Sequence, residues 1–258
     1  MNKKTLLIIT VALAILAFGI TGFNYFTSPP DNPVPTVAIE TPTTPTEATS
    51  EDSTVAIGTD TEAIPTEAIK KPLVILERFK PLLEQNDDVV GWITMPNTKI
   101  DYPIAQSNDN DFYLHRNLDK KKYEPGTVFM DFRNDTLFEN RYSVIYGHNM
   151  KDGSMFATLK NYKKEDFYNK NRIFTYETLY DETKWEIFAA YVSPPTLDLI
   201  TTDFKDDQAF LDYIASRQKE SKYPADIEIQ ATDKILTLIT CSYEFHDARF
   251  VVHARLIK

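Results

Sequence analysis

Chemistry in this sequence concentrates near its end. The one cysteine, Cys241, closes the apolar run Ile235-Leu236-Thr237-Leu238-Ile239-Thr240, and after Ser242 to Ala248 the residue Arg249 opens a second run, Phe250-Val251-Val252-His253-Ala254. A thiol has a reference pKa of about 8.5, and a fixed cation beside it favours the thiolate, the form that attacks carbonyl carbon. Arginine stays charged and donates through a planar fork, so it could equally hold an oxyanion developing on the attacked group. The competing reading of a lone cysteine is a small buried hydrophobe. A nucleophilic thiol also needs a base, and His115, His148, His246 and His253 are available. His148 follows the run Tyr142-Ser143-Val144-Ile145-Tyr146 through Gly147, where a strand end would hold a side chain firmly and leave it accessible. His246 lies between the two closing runs and is its competitor. His253 alternates with Arg249 along one strand, about 13 Å away. His115 sits in a polar loop and reads as solvated.

These residues require a particular frame. Both closing runs are short and rich in β-branched residues, which predicts two strands joined by a seven-residue loop. Paired as a hairpin, their strands lie about 4.8 Å apart and bring Cys241 and Arg249 to one cleft. Upstream, strands are expected over Val89 to Met95, Lys99 to Ala105, Thr127 to Phe132, Arg141 to Tyr146, Arg172 to Thr178 and Thr183 to Val192. Turn signals such as Pro96-Asn97 and Pro125-Gly126 separate several of them. Short helical or irregular stretches are expected at Asn110 to His115 and Ser154 to Tyr162. So many short strands argue for a closed barrel or sandwich. A helical segment from Pro72 to Gln85, kinked or split into two short helices by Pro81, is expected on the spacing of Leu73, Leu76, Phe79 and Leu83. In the long connection before the cysteine strand, Ala209, Phe210, Tyr213, Ile214 and Arg217 share a helical face, which predicts a surface helix near the cleft.

The chain divides into three parts. Thr5 to Phe26 carries no charge and is long enough, at about 22 residues, to span a bilayer as a helix. Lys3 and Lys4 precede it, so residues 1–26 read as a cytoplasmic start and a transmembrane anchor, with the remainder outside the cell. A cleaved signal peptide is the alternative, but no Ala-x-Ala site follows the run. Residues 27–71 are dense in Pro, Thr, Glu and Ala, repeat Pro-Thr-Glu-Ala at Pro45 and Pro65, and hold eight acidic residues and no basic ones up to Ile69. Such a stretch reads as a disordered, self-repelling tether. Residues 72–258 form the folded domain. A net charge of −10 argues against nucleic acid as a partner. No metal-ligand spacing or phosphate-binding loop is present, and no cofactor is implied. A single cysteine in an exported domain cannot form an internal disulfide and suggests either a reactive thiol or an intermolecular bridge.

The stretches Tyr146-Gly147-His148-Asn149, Leu238-Ile239-Thr240-Cys241 and Arg249-Phe250-Val251-Val252, in this order and after an anchor, resemble the sortases, surface transpeptidases of Gram-positive bacteria. The resemblance runs from about Leu73 to Lys258. Gly91-Trp92-Ile93, Lys99-Ile100-Asp101-Tyr102-Pro103-Ile104, the helical lead-in and the helix-bearing connection resemble class B. The resemblance implies a mostly β fold, an eight-stranded barrel with N-terminal helices and a helix in the insertion before the cysteine strand. It implies Cys241 as nucleophile, His148 as general acid and base, and Arg249 as the cation on the oxyanion or substrate. It places Tyr146, Asp101 and Ala105 along a substrate groove, with Thr240 before the nucleophile. Ile239 stands where some class B members carry serine. The partners implied are surface proteins with a C-terminal sorting motif and an amine acceptor on peptidoglycan or a pilin. A pilus-polymerising sortase, a secreted cysteine protease and a membrane-tethered binding module with a buried cysteine are the alternatives.

Overall fold

Alternating side chains decide what each strand of this chain can pack against, and the computed structural model shows both faces of its central strands in use. It describes residues 73–194, 201–223, 225–242 and 244–257. The apolar segment Thr5 to Phe26, the tether Thr27 to Lys71 and Pro72 lie outside the described residues. Among the described residues eight strands form: β1 (Val89–Thr94), β2 (Asp101–Ala105), β3 (Phe129–Met130), β4 (Tyr142–Tyr146), β5 (Ile173–Thr178), β6 (Glu182–Ser193), β7 (Ile235–Cys241) and β8 (Arg249–Leu256). They close a barrel in the order β1-β2-β3-β4-β7-β8-β6-β5, with β5 returning to β1. Closure leaves none of these eight strands as an open edge. The β2–β3 and β4–β7 pairs are parallel. The other six pairs are antiparallel.

Leu236 and Leu238 of β7 point into the barrel with Ile93, Met130, Ile145, Trp185, Phe250 and Val252. The alternate residues Ile235 and Ile239 face outward into a second cluster with Tyr142, Val144, Phe188 and Val251. Both faces being covered, β7 is buried from Ile235 through Thr240, and only Cys241 emerges. What covers the outer face is the helix α3 (Asp207–Glu220). Its first turn is capped by the Asp206 carboxylate, which accepts from the Ala209 N–H at 2.8 Å. Phe210 and Ile214, one turn apart, are its buried residues and join the outer cluster. Arg141 fixes the other flank, pairing with Asp207 at 2.6 Å while its guanidinium lies 4.9 Å from the Phe210 ring centre.

One expectation changes, and one element is added. Residues 73–76 are not helical: Leu76 is extended and its N–H donates to the Leu179 carbonyl at 2.8 Å. The helical part begins with a 3-10 turn, Glu77–Phe79, followed by α1 (Lys80–Gln85), in which Pro81 occupies the first turn where no N–H is needed. A further short helix, α2 (Glu165–Lys170), follows the 3-10 stretch Ala157–Lys163.

Candidate active site

The β7–β8 ladder sets Cys241 directly opposite Arg249. Because Cys241 follows Ile239 by two residues, its side chain takes the outer face. The parallel β4–β7 pair sets Tyr146 beside Ile239, and the Gly147 N–H continues the ladder to the Ile239 carbonyl. Both strands therefore leave the sheet in the same direction, and the residues that follow them meet. A Cβ on Gly147 would lie 2.7 Å from the Phe156 ring, so only glycine allows this turn to pack so closely.

His148 is clamped on both sides. Its carbonyl accepts from the Phe156 N–H at 2.9 Å, and its ring Nε2 lies 2.8 Å from the Leu114 carbonyl oxygen. A carbonyl only accepts, so Nε2 carries the proton and Nδ1 is left to exchange one. The exposed His115 ring stacks on it, centroids 5.7 Å apart. Asn149 donates from Nδ2 to the Cys241 carbonyl at 2.8 Å and ties the two strand ends together. Arg249 donates from Nη1 to the Asp247 and Ala248 carbonyls at 2.9 and 3.3 Å, which holds the guanidinium beside its own loop.

One cavity of about 380 Å³ is lined by Tyr146, His148, Thr240, Cys241 and Arg249 together with Asn110, Leu114, Phe129, Gly147 and Ile239. Its polar wall is braced from beneath. The Tyr146 hydroxyl donates to Asp131 at 2.9 Å, Asn110 donates to the same oxygen at 2.9 Å, and Arg133 grips both carboxylate oxygens. Burial would raise the Asp131 pKa, but the Arg133 guanidinium and the other donors hold this carboxyl below its ordinary range. Burial, followed by the Asp131 charge, pushes the Tyr146 phenol well above its own.

A thiol, an imidazole and a guanidinium facing one cavity on a closed barrel of this topology have known counterparts. The family model described as a sortase domain matches residues 93–257. Sortase B of Listeria monocytogenes is 39% identical over 185 residues, 71% of this chain and 75% of the relative. Sortase B of Staphylococcus aureus is 33% identical over 183 residues, 70% of this chain and 75% of the relative. This chain belongs to the sortase family.

Within the sortases it is a class B enzyme. The crystal structure of Bacillus anthracis sortase B in complex with AAEK1 superposes with a TM-score of 0.67 at 39% identity, covering 73% of this chain and 90% of that one. The Staphylococcus aureus sortase B–substrate complex gives 0.67 at 33% identity, covering 71% and 86%.

Against that background the sequence-derived sortase residues divide. Cys241, His148, Arg249, Tyr146 and Thr240 share the cavity. Asp101 does not: it begins β2, about 13 Å along the strand from Ala105, and its carboxylate accepts from Trp92 Nε1 at 2.6 Å and Thr94 at 2.9 Å. Ala105 is fully buried with Tyr113 and Phe129, behind the cavity wall. Neither touches the open volume. The α3 helix shares the outer face with Cys241 but lines neither cavity that reaches the sulfur. His115 is exposed but leans on His148, a contact its polar surroundings gave no sign of. His246 is 93% exposed and pairs with its neighbour Asp247. His253 is buried between the Tyr191 hydroxyl and Thr237, each 2.8 Å away. Among the described residues no group of His, Cys, Asp and Glu could hold a metal ion, and no helix is long and apolar enough to cross a membrane.

Proposed function

We propose that this sortase is a cysteine transpeptidase that cleaves the C-terminal sorting signal of surface proteins and transfers the acyl group to an amine of peptidoglycan. The observation that carries the reading is the shared cavity: Cys241 and Arg249 are cross-strand partners, and His148 opens onto the same volume. The Cys241 thiol gives its proton to His148 Nδ1, the sulfur attacks the scissile carbonyl carbon, and a C–S bond forms as the carbonyl oxygen takes up negative charge. The Arg249 fork, whose Nε and Nη2 make no hydrogen bond among the described residues, is placed to receive that oxygen. The C–N bond then breaks and the leaving amine takes a proton from His148 Nδ1, giving a thioacyl enzyme. In the second half an incoming amine attacks the same carbon, gives its proton to His148, and the thiolate departs. Residues 1–26 supply a single-pass anchor with the catalytic domain outside the cell, a reading that rests on Lys3, Lys4 and the uncharged run after them.

The test is product analysis by mass spectrometry after screening the protein against a peptide library, with and without an added amine. An acyl–amine product at the expense of the free acid supports transpeptidation. Hydrolysis alone, indifferent to amine, identifies a protease instead.

A further inference from the structure

Two cavities meet at Cys241, of about 600 and 380 Å³, and the smaller one also holds His148 and Arg249. Behind the smaller one lies Asp131, whose side chain has no exposed surface. Its Oδ1 accepts from the Arg133 backbone N–H at 3.1 Å and from Arg133 Nε at 2.8 Å. Its Oδ2 accepts from Arg133 Nη2 at 2.7 Å, Asn110 Nδ2 at 2.9 Å and the Tyr146 hydroxyl at 2.9 Å. An ionised carboxylate only accepts, so each of these groups has to turn a hydrogen toward it. Two of them, Tyr146 and Asn110, belong to the cavity wall. A phenol has one hydrogen, and with that hydrogen on Asp131 the Tyr146 oxygen can show the cavity only its lone pairs. The Asn110 amide is fixed from both ends, since its Oδ1 accepts from the Phe132 N–H at 3.1 Å.

We infer that Asp131 is a positioning residue that sets the hydrogen-bond polarity of this wall, holding Tyr146 as an acceptor so that a bound peptide has to present an N–H to it. The inference rests on the transpeptidase reading above, in which this cavity takes the peptide to be cleaved. A peptide carbonyl set against Tyr146 would meet lone pairs and be turned away, which makes the contact selective as well as attractive. The charge on Asp131 is what maintains this polarity. A protonated carboxyl donates, and the Tyr146 hydrogen would then be released toward the cavity. Burial favours that protonated form, and the Arg133 guanidinium opposes it and keeps the carboxyl below its ordinary range. Among the described residues the side chains that hydrogen-bond to the carboxylate are those of Arg133, Tyr146 and Asn110, and of these only Arg133 is charged. The Tyr146 phenol, pushed up first by burial and then by Asp131, stays protonated.

The experiment uses the full-length protein and a donor peptide chosen by library screening. In a series of analogues each backbone N–H is replaced in turn by an ester oxygen, and each side-chain donor by an isostere without the hydrogen, leaving the scissile amide in place. In the unaltered protein one replacement is expected to lower kcat/KM by about three- to tenfold through KM, the range of one hydrogen bond. Tyr146→Phe removes the acceptor and erases that penalty. Asp131→Asn removes the charge that orients the hydroxyl and erases it too, whereas a merely structural Asp131 would lower the folded fraction and leave the penalty in place. Arg133→Met supplies a second reading should Asp131→Asn not fold. It leaves the buried carboxyl without its cation, so the carboxyl takes up a proton as pH falls. The ratio of its peptide kcat/KM to that of the unaltered protein, in which the titration of His148 cancels, is expected to fall on acidification. Absence of any replacement whose penalty disappears in Tyr146→Phe overturns the polarity assignment, as does a penalty that survives Asp131→Asn or a ratio for Arg133→Met that is flat with pH. If no peptide in the library acylates Cys241, the transpeptidase reading and this inference fall together.

Discussion

The two ends of the β7–β8 ladder carry reactive residue types on the same outer face, and they have met opposite fates. At one end Thr237 sits opposite His253, and at the other Cys241 sits opposite Arg249. The His253 end is roofed by α3, through the cluster that holds Phe210, Ile214, Tyr142 and Phe188. Burial, helped by the positive charge of Arg217, pushes the imidazole down to about 3, so it stays neutral as a hydrogen-bonded core residue. The Cys241 end has no such roof and opens to two cavities. A few residues along one strand therefore separate a structural group from a chemical one, and what decides between them is the extent of the helix above. Residue type alone does not.

The sharpest way to break that contrast is at the open end. Cys241→Ala is expected to take peptide turnover below about 1% while changing unfolding free energy by no more than about 1 to 2 kcal/mol, since only a small, partly buried side chain is lost. His148→Ala should match it in turnover, and His246→Ala should be nearly silent. Steady-state rates and urea midpoints on the same preparations check all three, and the reverse order for the histidines would move the base to the hairpin loop. Next in size, Arg249→Lys keeps the charge and loses the fork. Removing an oxyanion donor costs about 10²- to 10³-fold, so turnover should fall by that order while alkylation of Cys241 by a small reagent changes far less. If both rates fall together, the guanidinium acts on the thiol.

At the roofed end the effects appear in stability. Phe210→Ala should cost about 3 to 4 kcal/mol, with turnover per folded molecule retained, because the ring is buried in the outer cluster and lines neither cavity at the thiol. Chemical denaturation paired with active-site titration would reveal a loss of activity that the folded fraction does not explain. The pH dependence is the next probe. His253 is depressed in the fold, so as pH falls through about 6.5 the unfolded chain gains a proton that the folded one refuses. Its contribution is present above that pH and drains away on acidification toward about 3. Between pH 6.5 and 4.5 the loss should be on the order of 2 to 3 kcal/mol. Glu244, held down at about 2 by its Lys163 and Ser242 donors, acts only in the window below the ordinary carboxylate range. His253→Gln should flatten the upper part of the profile, and an unchanged slope in urea titrations at the two pH values would exonerate His253. Smallest of all, the Thr240 hydroxyl is buried with no partner among the described residues, so Thr240→Val should leave stability within about 1 kcal/mol. A larger fall in the urea midpoint would mean that the hydroxyl has a partner in solution.

The closing strands were legible because their β-branched runs and the seven residues between them fix register locally, and register alone puts Arg249 beside Cys241. His148 was legible for a similar reason, as the residue after a glycine at a strand end. Contacts made across the barrel left no such trace. The Asp131 carboxylate that braces Tyr146 and Asn110 looks, in sequence, like an ordinary turn aspartate beside Arg133. Asp101 lies away from this cavity because a strand leads away from a site as readily as toward it, and only the β1–β2 register reveals that Asp101 pairs with Thr94 at the far end of β2. The lead-in helix over-ran because Leu73 and Leu76 have helical spacing, while the Leu179 carbonyl takes the Leu76 N–H into an extended segment.

The parallel seam between β4 and β7 also has a kinetic side. Parallel strands cannot be joined by a tight turn, and here Asn149 reaches the Cys241 carbonyl across 92 residues of chain. Contacts of such separation are closed slowly, because loop entropy is lost before any bond compensates for it. The β7–β8 hairpin can form from neighbouring sequence, but His148 and Cys241 come together only when the seam zips. Refolding from urea should therefore restore secondary structure ahead of turnover, and the interval between the two is the lifetime of a chain that has its nucleophile and lacks its base.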